Sequence, residues 1–114
     1  MSERGVRELL EDIIEAISRI QEYLESMNYR KFAKETKTQD AVVRNLEIIG
    51  EAVKKIPSDF KAAHNEIPWK KMAGLRDVLI HDYFGVNLEV VWAVATENLP
   101  PLLDPLRHAL KRLR

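Results

Sequence analysis

The sequence predicts an all-α protein, an up-and-down bundle of four to five helices. Apolar residues recur at three- and four-residue steps over long stretches, no segment shows the alternation of a strand, and the connectors are short. Hydrophobic residues make up 46% and charged residues 32% of the 114 residues, a balance typical of globular proteins. We therefore expect one helical domain over residues 1–114.

Two long helices are predicted in the first half of the chain. The first covers residues 6–27, where apolar side chains recur every three or four residues. A lysine-rich connector follows, with room for a short helical turn and with a capping box at Thr36 and Gln39. The second helix covers about residues 38–56, and Pro57 ends it. Its predicted inward face consists of Val42, Leu46, Ile49, Val53 and Ile56.

The second half of the chain begins with a short helical turn and a loop that is expected to leave His64 exposed. Pro68 suits the first position of a third helix, where its missing N–H would have no partner in any case. Gly74 in this helix costs up to about 1 kcal/mol relative to alanine, which indicates the close approach of another backbone. Asn87 is a favourable N-cap for a fourth helix. The two prolines at 100–101 end that helix and begin the last one.

The third helix carries the anomaly of this sequence, Arg76. At about 100° per residue, Arg76 lies at the centre of an apolar stripe on the segment 69–83. Burial of an unpaired guanidinium costs several kcal/mol, because its hydration is lost without replacement. Arg76 is therefore expected to meet an anion or a set of hydrogen-bond acceptors. The stripe consists of Trp69, Met72, Ala73, Leu79, Ile80 and Tyr83.

His81 is the second residue of this helix with chemical potential. It follows Arg76 by five residues, which places it about 140° around the helix. The two side chains act on one ligand only if the helix loosens near Gly85 or if a second subunit completes the site. Asp77 lies one turn before His81, where its carboxylate orients the imidazole and favours the charged form. A second apolar strip on the same helix favours a homodimer.

Glu51, on the second helix, admits three interpretations. With Glu47 one turn away, it could serve acid–base chemistry or hold a metal ion. With Arg44 and the lysines at 54–55, it would belong to a salt-bridged surface, which is the commoner arrangement. It could also reach Arg76 from a neighbouring helix. The sequence does not choose among the three.

The charge balance restricts where an anionic partner can bind. Lysine and arginine together number 18, as do aspartate and glutamate, so any RNA contact depends on a local patch. The basic tail at residues 107–114 is explained by the dipole of the last helix, with a phosphate-contacting edge as the alternative.

Several classes of site are excluded by what the sequence lacks. There is no cysteine, which excludes disulfides, thiolate catalysis and cysteine-based metal sites. The three histidines are too scattered for a standard metal-ligand pair, so neither a metal nor another cofactor is predicted. No apolar run reaches the roughly 18 residues of a membrane-spanning helix. We expect a cytoplasmic protein without membrane contact.

The motif residues also carry a resemblance. The run RDVLIHDY at 76–83 fits the R-x4-H-x-Y signature of HEPN-domain proteins, and GLRDVLIHDYF followed by VNLEVVW resembles the HepT toxin branch. The segments TQDA at 38–41 and RNLEIIGEA at 44–52 resemble the second helix of the same family. The resemblance covers most of the chain. It implies a HEPN-like helical fold and a metal-independent ribonuclease that uses Arg76 and His81 in a cleft between two subunits.

The resemblance further implies a partner and a modification. HepT proteins are toxins of type II toxin–antitoxin pairs with an MNT-type nucleotidyltransferase as antitoxin, which in some pairs transfers AMP to the motif tyrosine, here Tyr83. Many family members carry asparagine where this chain has Asp77, whose charge opposes RNA phosphate. The expected partners are RNA, the antitoxin and a second copy, with no DNA. The alternative is a non-catalytic helical module that binds nucleotides or the nucleotidyltransferase.

Overall fold

Two long helices packed along their length form the centre of the fold. The computed structural model describes residues 5–75 and 87–113. Helix α1 spans Val6–Leu24 and helix α3 spans Thr36–Lys55. Leu9 and Ala52 line one groove along their seam, and Ala16 and Asn45 line the next, so the two helices run antiparallel.

The core lies between the apolar faces of α1 and α3. Burial of these faces supplies most of the driving force for the packing, because apolar area is removed from water. All five residues of the predicted inward face of the second helix are buried, which confirms that prediction. The α1 residues that meet them in the same core are Leu9, Leu10, Ile13, Ala16, Ile17, Ile20 and Leu24.

Shorter elements surround this pair. No strand occurs in either described range, so the predicted all-α class is confirmed. None of the described helices combines the length and the apolarity needed to cross a bilayer. The shorter elements are α2 (Tyr29–Phe32), α4 (Ser58–Ala63), α5 (Trp69–Ala73), α6 (Leu88–Ala93), a π-helical turn (Val94–Asn98), a 3₁₀ turn (Pro100–Leu102) and α7 (Leu103–Lys111).

The first helix ends earlier than its apolar periodicity predicts. The pattern extends to Met27, whereas α1 ends at Leu24. Glu25 leaves the helix with a ψ of 129°, and Ser26 follows with a φ of 68°, so the two residues form a tight turn. The Met27 N–H then donates to the Leu24 carbonyl at 2.9 Å, which turns the chain toward α2.

The predicted capping box of the second helix is wrong. Glu35 occupies the N-cap with extended backbone and provides no side-chain cap, and Thr36 is already the first helical residue. The Gln39 amide instead donates to the Phe32 carbonyl at 2.9 Å. Gln39 therefore ties α2 to α3, because the connector folds back far enough to offer it a carbonyl.

The two prolines interrupt the helix that begins at Leu88. A proline ring clashes with the carbonyl four residues before it and offers no N–H, so a regular helix cannot continue through residues 100–101. The chain widens into the π turn, where the Leu99 N–H donates to the Val94 carbonyl at 3.0 Å. The break itself was predicted, but the π turn was not.

Candidate functional site

Most of the predicted site lies in one segment of the chain. Arg76, Asp77, His81 and Tyr83 fall within residues 76–86, outside the described residues. The structure defines the scaffold on both sides of this segment. Helix α5 and Leu75 lead into it, and Asn87 with α6 leads out of it.

Helix α5 is anchored by its first turn. Trp69 and Met72 are 7% and 2% exposed, as predicted for the apolar stripe that includes Arg76. The Trp69 indole N–H donates to the His64 carbonyl at 3.0 Å, which fixes the ring in the core. Pro68 is the N-cap residue, one position before the predicted one, and α5 begins at Trp69. The entry to the motif segment is therefore held by a buried aromatic side chain.

His64 is not the exposed loop residue that the sequence predicts. Its side chain is 12% exposed and its ring centroid lies 4.4 Å from that of Phe60. Its Nδ1 lies 3.8 Å from a Glu66 carboxylate oxygen. The Trp69 indole binds the His64 carbonyl, which holds the loop against α4, and the Phe60 ring covers the imidazole.

Gly74 is also explained differently from the prediction. It has right-handed helical geometry, and its N–H donates to the Lys70 carbonyl at 3.0 Å. A Cβ atom built on Gly74 would meet, among the described residues, only the carbonyl oxygens of Lys71 and Lys70, at 3.4 and 3.5 Å. Within residues 5–75 and 87–113 no other segment supplies the close approach predicted for Gly74.

The exit from the motif segment is held by a side-chain cap. The Asn87 carbonyl oxygen accepts hydrogen bonds from the N–H groups of Glu89 at 3.0 Å and Val90 at 3.2 Å. This confirms the predicted N-cap. Val91 is 2% exposed, and the Trp92 ring lies 5.4 Å from that of Phe32. Helix α6 is thus attached to α2 and the core directly after residue 86.

A groove of about 350 Å³ lies beside the entry to the motif, between α5 and the π turn. Met72 and Leu99, each 2% exposed, form its apolar floor, whereas Lys71 and Asn98 are exposed on its rim. Leu75, the residue before Arg76, also lines this groove. The lining is mostly apolar and has two polar groups. Such a lining suits contact with another protein better than it suits hydrolysis.

Glu51 is an exposed residue of α3. It lines a groove of about 230 Å³ together with Asp12, Arg44 and Lys55. This neighbourhood favours the interpretation as a salt-bridged surface. No group of three or more histidine, aspartate or glutamate side chains suited to a metal ion occurs within residues 5–75 and 87–113.

Comparison with known proteins identifies the family. A family model described as "Ribonuclease HepT-like" matches residues 13–109. The chain belongs to the HepT-like ribonuclease family. The match includes α5 and α6, which lie before and after the motif segment, and the whole segment that carries the R-x4-H-x-Y motif. The predicted family and the ribonuclease class are thereby confirmed.

Individual HepT-like relatives cover nearly the full chain. A "Probable ribonuclease HepT" of Thermococcus cleftensis is 52% identical over 99 residues, which are 87% of this chain and 90% of the relative. A "Putative RNase" of Methanocaldococcus jannaschii is 42% identical over 97% of this chain and 92% of the relative. Another of Caldanaerobacter subterraneus is 39% identical over 93% of this chain and 95% of the relative. No solved structure gives a significant match.

The sequence did not indicate the groove beside α5 in this HepT-like chain. Its two walls come from segments separated by about 25 residues, and the π turn that forms one wall has no recognised sequence signature here. A weak signal existed in Asn98, a polar residue separated from the two prolines by Leu99 alone.

We predict that Asn87→Ala destabilises the protein by about 1 kcal/mol, because two N–H groups of α6 lose their acceptor. Urea unfolding at equilibrium measures this loss. Asn87→Asp is the matched control and should retain most of the stability, since a carboxylate oxygen accepts the same two hydrogen bonds. An equal loss in both variants would contradict the capping role.

Proposed function

We propose that this HepT-like protein is the toxin of a type II toxin–antitoxin pair and cleaves RNA without a metal ion. The observation that carries the proposal is the motif R-x4-H-x-Y at residues 76–83, inside a chain that matches the family over residues 13–109. Relatives of nearly the same length bear ribonuclease names. The protein acts in the cytoplasm as one domain, where its RNA substrate is present.

The motif contains the groups that RNA cleavage requires. His81 accepts the proton of a ribose 2′-hydroxyl, and the oxygen attacks the adjacent phosphorus. The bond from phosphorus to the 5′-oxygen breaks, this oxygen takes up a proton, and a 2′,3′-cyclic phosphate remains. Arg76 donates two hydrogen bonds to phosphate oxygens and stabilises the additional negative charge of the transition state. The reaction therefore needs no metal ion and no cofactor.

Asp77 adjusts this chemistry. One turn before His81, its carboxylate favours the charged imidazole, which raises the basicity of His81. The same negative charge repels RNA phosphate. Asp77 therefore strengthens the base at some cost in substrate binding.

We predict that His81→Ala lowers the rate of RNA cleavage by about 10²–10⁴-fold, because the proton acceptor is lost. Arg76→Ala should lower it by about 10²–10³-fold, because a charge-stabilising donor is lost. The measurement is cleavage of total RNA by the purified protein in EDTA, with detection of 2′,3′-cyclic phosphate ends. Both variants should also lose toxicity on expression without the antitoxin.

The matched controls for this experiment are Arg19→Ala and His108→Ala. Both side chains are exposed on other helices, and their removal should leave cleavage unchanged. Wild-type activity that disappears in EDTA would overturn the metal-free mechanism. RNA binding without any cleavage by the wild type would favour the non-catalytic helical module instead.

The active form is a homodimer, with Arg76 of one copy beside His81 of the other. The two residues lie about 140° apart on an ideal helix, which a shared cleft resolves. The groove beside Leu75 supports this arrangement. Met72 and Leu99 form the apolar floor of this groove, which Leu75, the residue before the motif, also lines. A second copy that packs against the groove would bury this apolar surface.

We predict that mixing two inactive variants restores activity. In a dimer of one Arg76→Ala copy and one His81→Ala copy, one of the two shared sites contains both native residues. Random exchange of subunits should therefore recover up to about a quarter of the wild-type rate. The measurement is RNA cleavage after joint refolding, with each variant alone as the control. No recovery in verified mixed dimers would show that each site comes from a single chain.

The antitoxin of this pair is an MNT-type nucleotidyltransferase that modifies Tyr83. The Tyr83 hydroxyl attacks the α-phosphorus of ATP, a phosphoester bond forms, and pyrophosphate leaves. The attached AMP brings negative charge to a position two residues from His81. It then occupies the anion site of Arg76 and excludes RNA.

We predict that co-expression with the nucleotidyltransferase adds one adenylyl group to the peptide that contains Tyr83. Peptide mass spectrometry measures the addition, and Tyr83→Phe should abolish it. The peptides with Tyr23 and Tyr29 are internal controls and should remain unmodified. An adenylyl group on either of them, or on none of the three, would count against Tyr83 as the target.

A further inference from the structure

Helices α2 and α6 together form a small aromatic surface. The ring of Trp92 lies edge-on to that of Tyr29, with centroids 6.1 Å apart, and 5.4 Å from that of Phe32. Phe32 is completely buried, whereas Tyr29 and Trp92 are only partly buried. The buried ring thus fixes the position of the two outer rings, and part of their surface faces the solvent.

Basic residues follow Tyr29 directly in the sequence. Residues 29–37 read YRKFAKETK and contain four basic residues, Arg30, Lys31, Lys34 and Lys37, all exposed. The same stretch has one acidic residue, Glu35, whose carboxylate accepts a hydrogen bond from the Thr38 hydroxyl at 3.3 Å. The chain as a whole has no net charge, so this stretch is a local positive patch.

The patch is held in place by two polar contacts. The Asn28 side-chain oxygen accepts from the Lys31 N–H at 2.9 Å, which caps α2. The Gln39 amide donates to the Phe32 carbonyl at 2.9 Å, which attaches α2 to α3. The backbone of α2, from which the cationic side chains extend, is therefore fixed relative to the core.

We infer that the surface formed by Tyr29, Arg30, Lys31, Lys34 and Trp92 binds a single-stranded segment of the RNA substrate. A base stacks on the accessible aromatic face, and the flanking phosphates contact the cations. Partly exposed aromatic rings among cations are the combination that single-stranded nucleic acid requires, since bases stack and phosphates need positive charge. This inference deepens the proposed ribonuclease function and rests on it.

The location of this aromatic–basic surface agrees with such a role. Trp92 follows Asn87 by five residues, which corresponds to about 7.5 Å of helix rise. The surface therefore lies close to the point where the chain leaves the motif segment. A strand bound there would lie next to the residue at which the motif segment ends.

A second basic region provides the comparison. A groove of about 810 Å³ between the start of α1 and α7 is lined by Arg7, Arg107 and Lys111. It also contains Asp104 and His108 but no tryptophan, tyrosine or phenylalanine, and Arg7 donates to the Leu113 carbonyl at 3.2 Å. This groove has three exposed cations, as many as the α2 variant removes, and lacks the paired tyrosine and tryptophan rings, so it serves as the matched control.

The first experiment compares two triple variants, Arg30→Gln/Lys31→Gln/Lys34→Gln and Arg7→Gln/Arg107→Gln/Lys111→Gln. The probe is a labelled 2′-O-methyl RNA of about 12 nucleotides, which lacks the 2′-hydroxyl and resists cleavage. Fluorescence anisotropy gives its affinity at several salt concentrations. The α2 variant should bind about 10–100-fold more weakly, with a salt slope reduced by about 2. The control variant should bind like the wild type.

The second experiment tests stacking on Trp92. RNA should quench tryptophan fluorescence in the wild type and in Trp69→Phe, because Trp69 is buried and Trp92 remains. Trp92→Phe should lose the quenching and retain most of the affinity, because phenylalanine also stacks. Trp92→Leu should lose about tenfold in affinity. Circular dichroism on the same samples verifies that each variant is folded.

The outcomes separate this inference from the proposed function. Equal affinity of the α2 variant and the wild type, or weaker binding in the α1–α7 control alone, would overturn the inference while leaving the cleavage tests intact. An α2 variant that loses affinity only for the nucleotidyltransferase would also overturn it and would assign the surface to that protein. RNA binding by a wild type that never cleaves, weakened in the α2 variant, would leave the RNA-binding surface standing and remove the ribonuclease proposal.

Discussion

The apolar seam between α1 and α3 is the interaction on which the other elements depend. Isolated helices shorter than about 12–15 residues are marginal in water. Helices α2, α4, α5 and α6 have four to six residues each, so they persist only through packing. Of these, α2, α5 and α6 contact α3 directly. The long pair thus supplies a surface on which the short elements become stable.

The elements on either side of the motif segment share this support. The chain enters the segment from α5, which Trp69 anchors in the core, and leaves it through α6, which Asn87 caps. Both helices lie on α3, so the two ends of the segment have fixed positions on one scaffold. Catalytic groups need such support, because small errors in placement reduce rates strongly. The fold therefore suits the chemistry proposed for Arg76 and His81.

Two corrections have a common cause. Gln39 was interpreted from its sequence neighbours as part of a capping box, and His64 as an exposed loop residue. Gln39 instead donates to a carbonyl of α2, and the imidazole of His64 packs on Phe60. Each outcome depends on where a connector folds back, which local patterns do not encode.

The sequence by itself determined the helical class, the inward face of α3, the cap at Asn87, and the family through its motif. These features depend on periodicity and on residues a few positions apart, so local order is sufficient. Only the tertiary structure decided that Tyr29 meets Trp92, and that α5 and the π turn enclose a groove. Such contacts join residues far apart in the chain, and they form only when the apolar core sets the distances between helices.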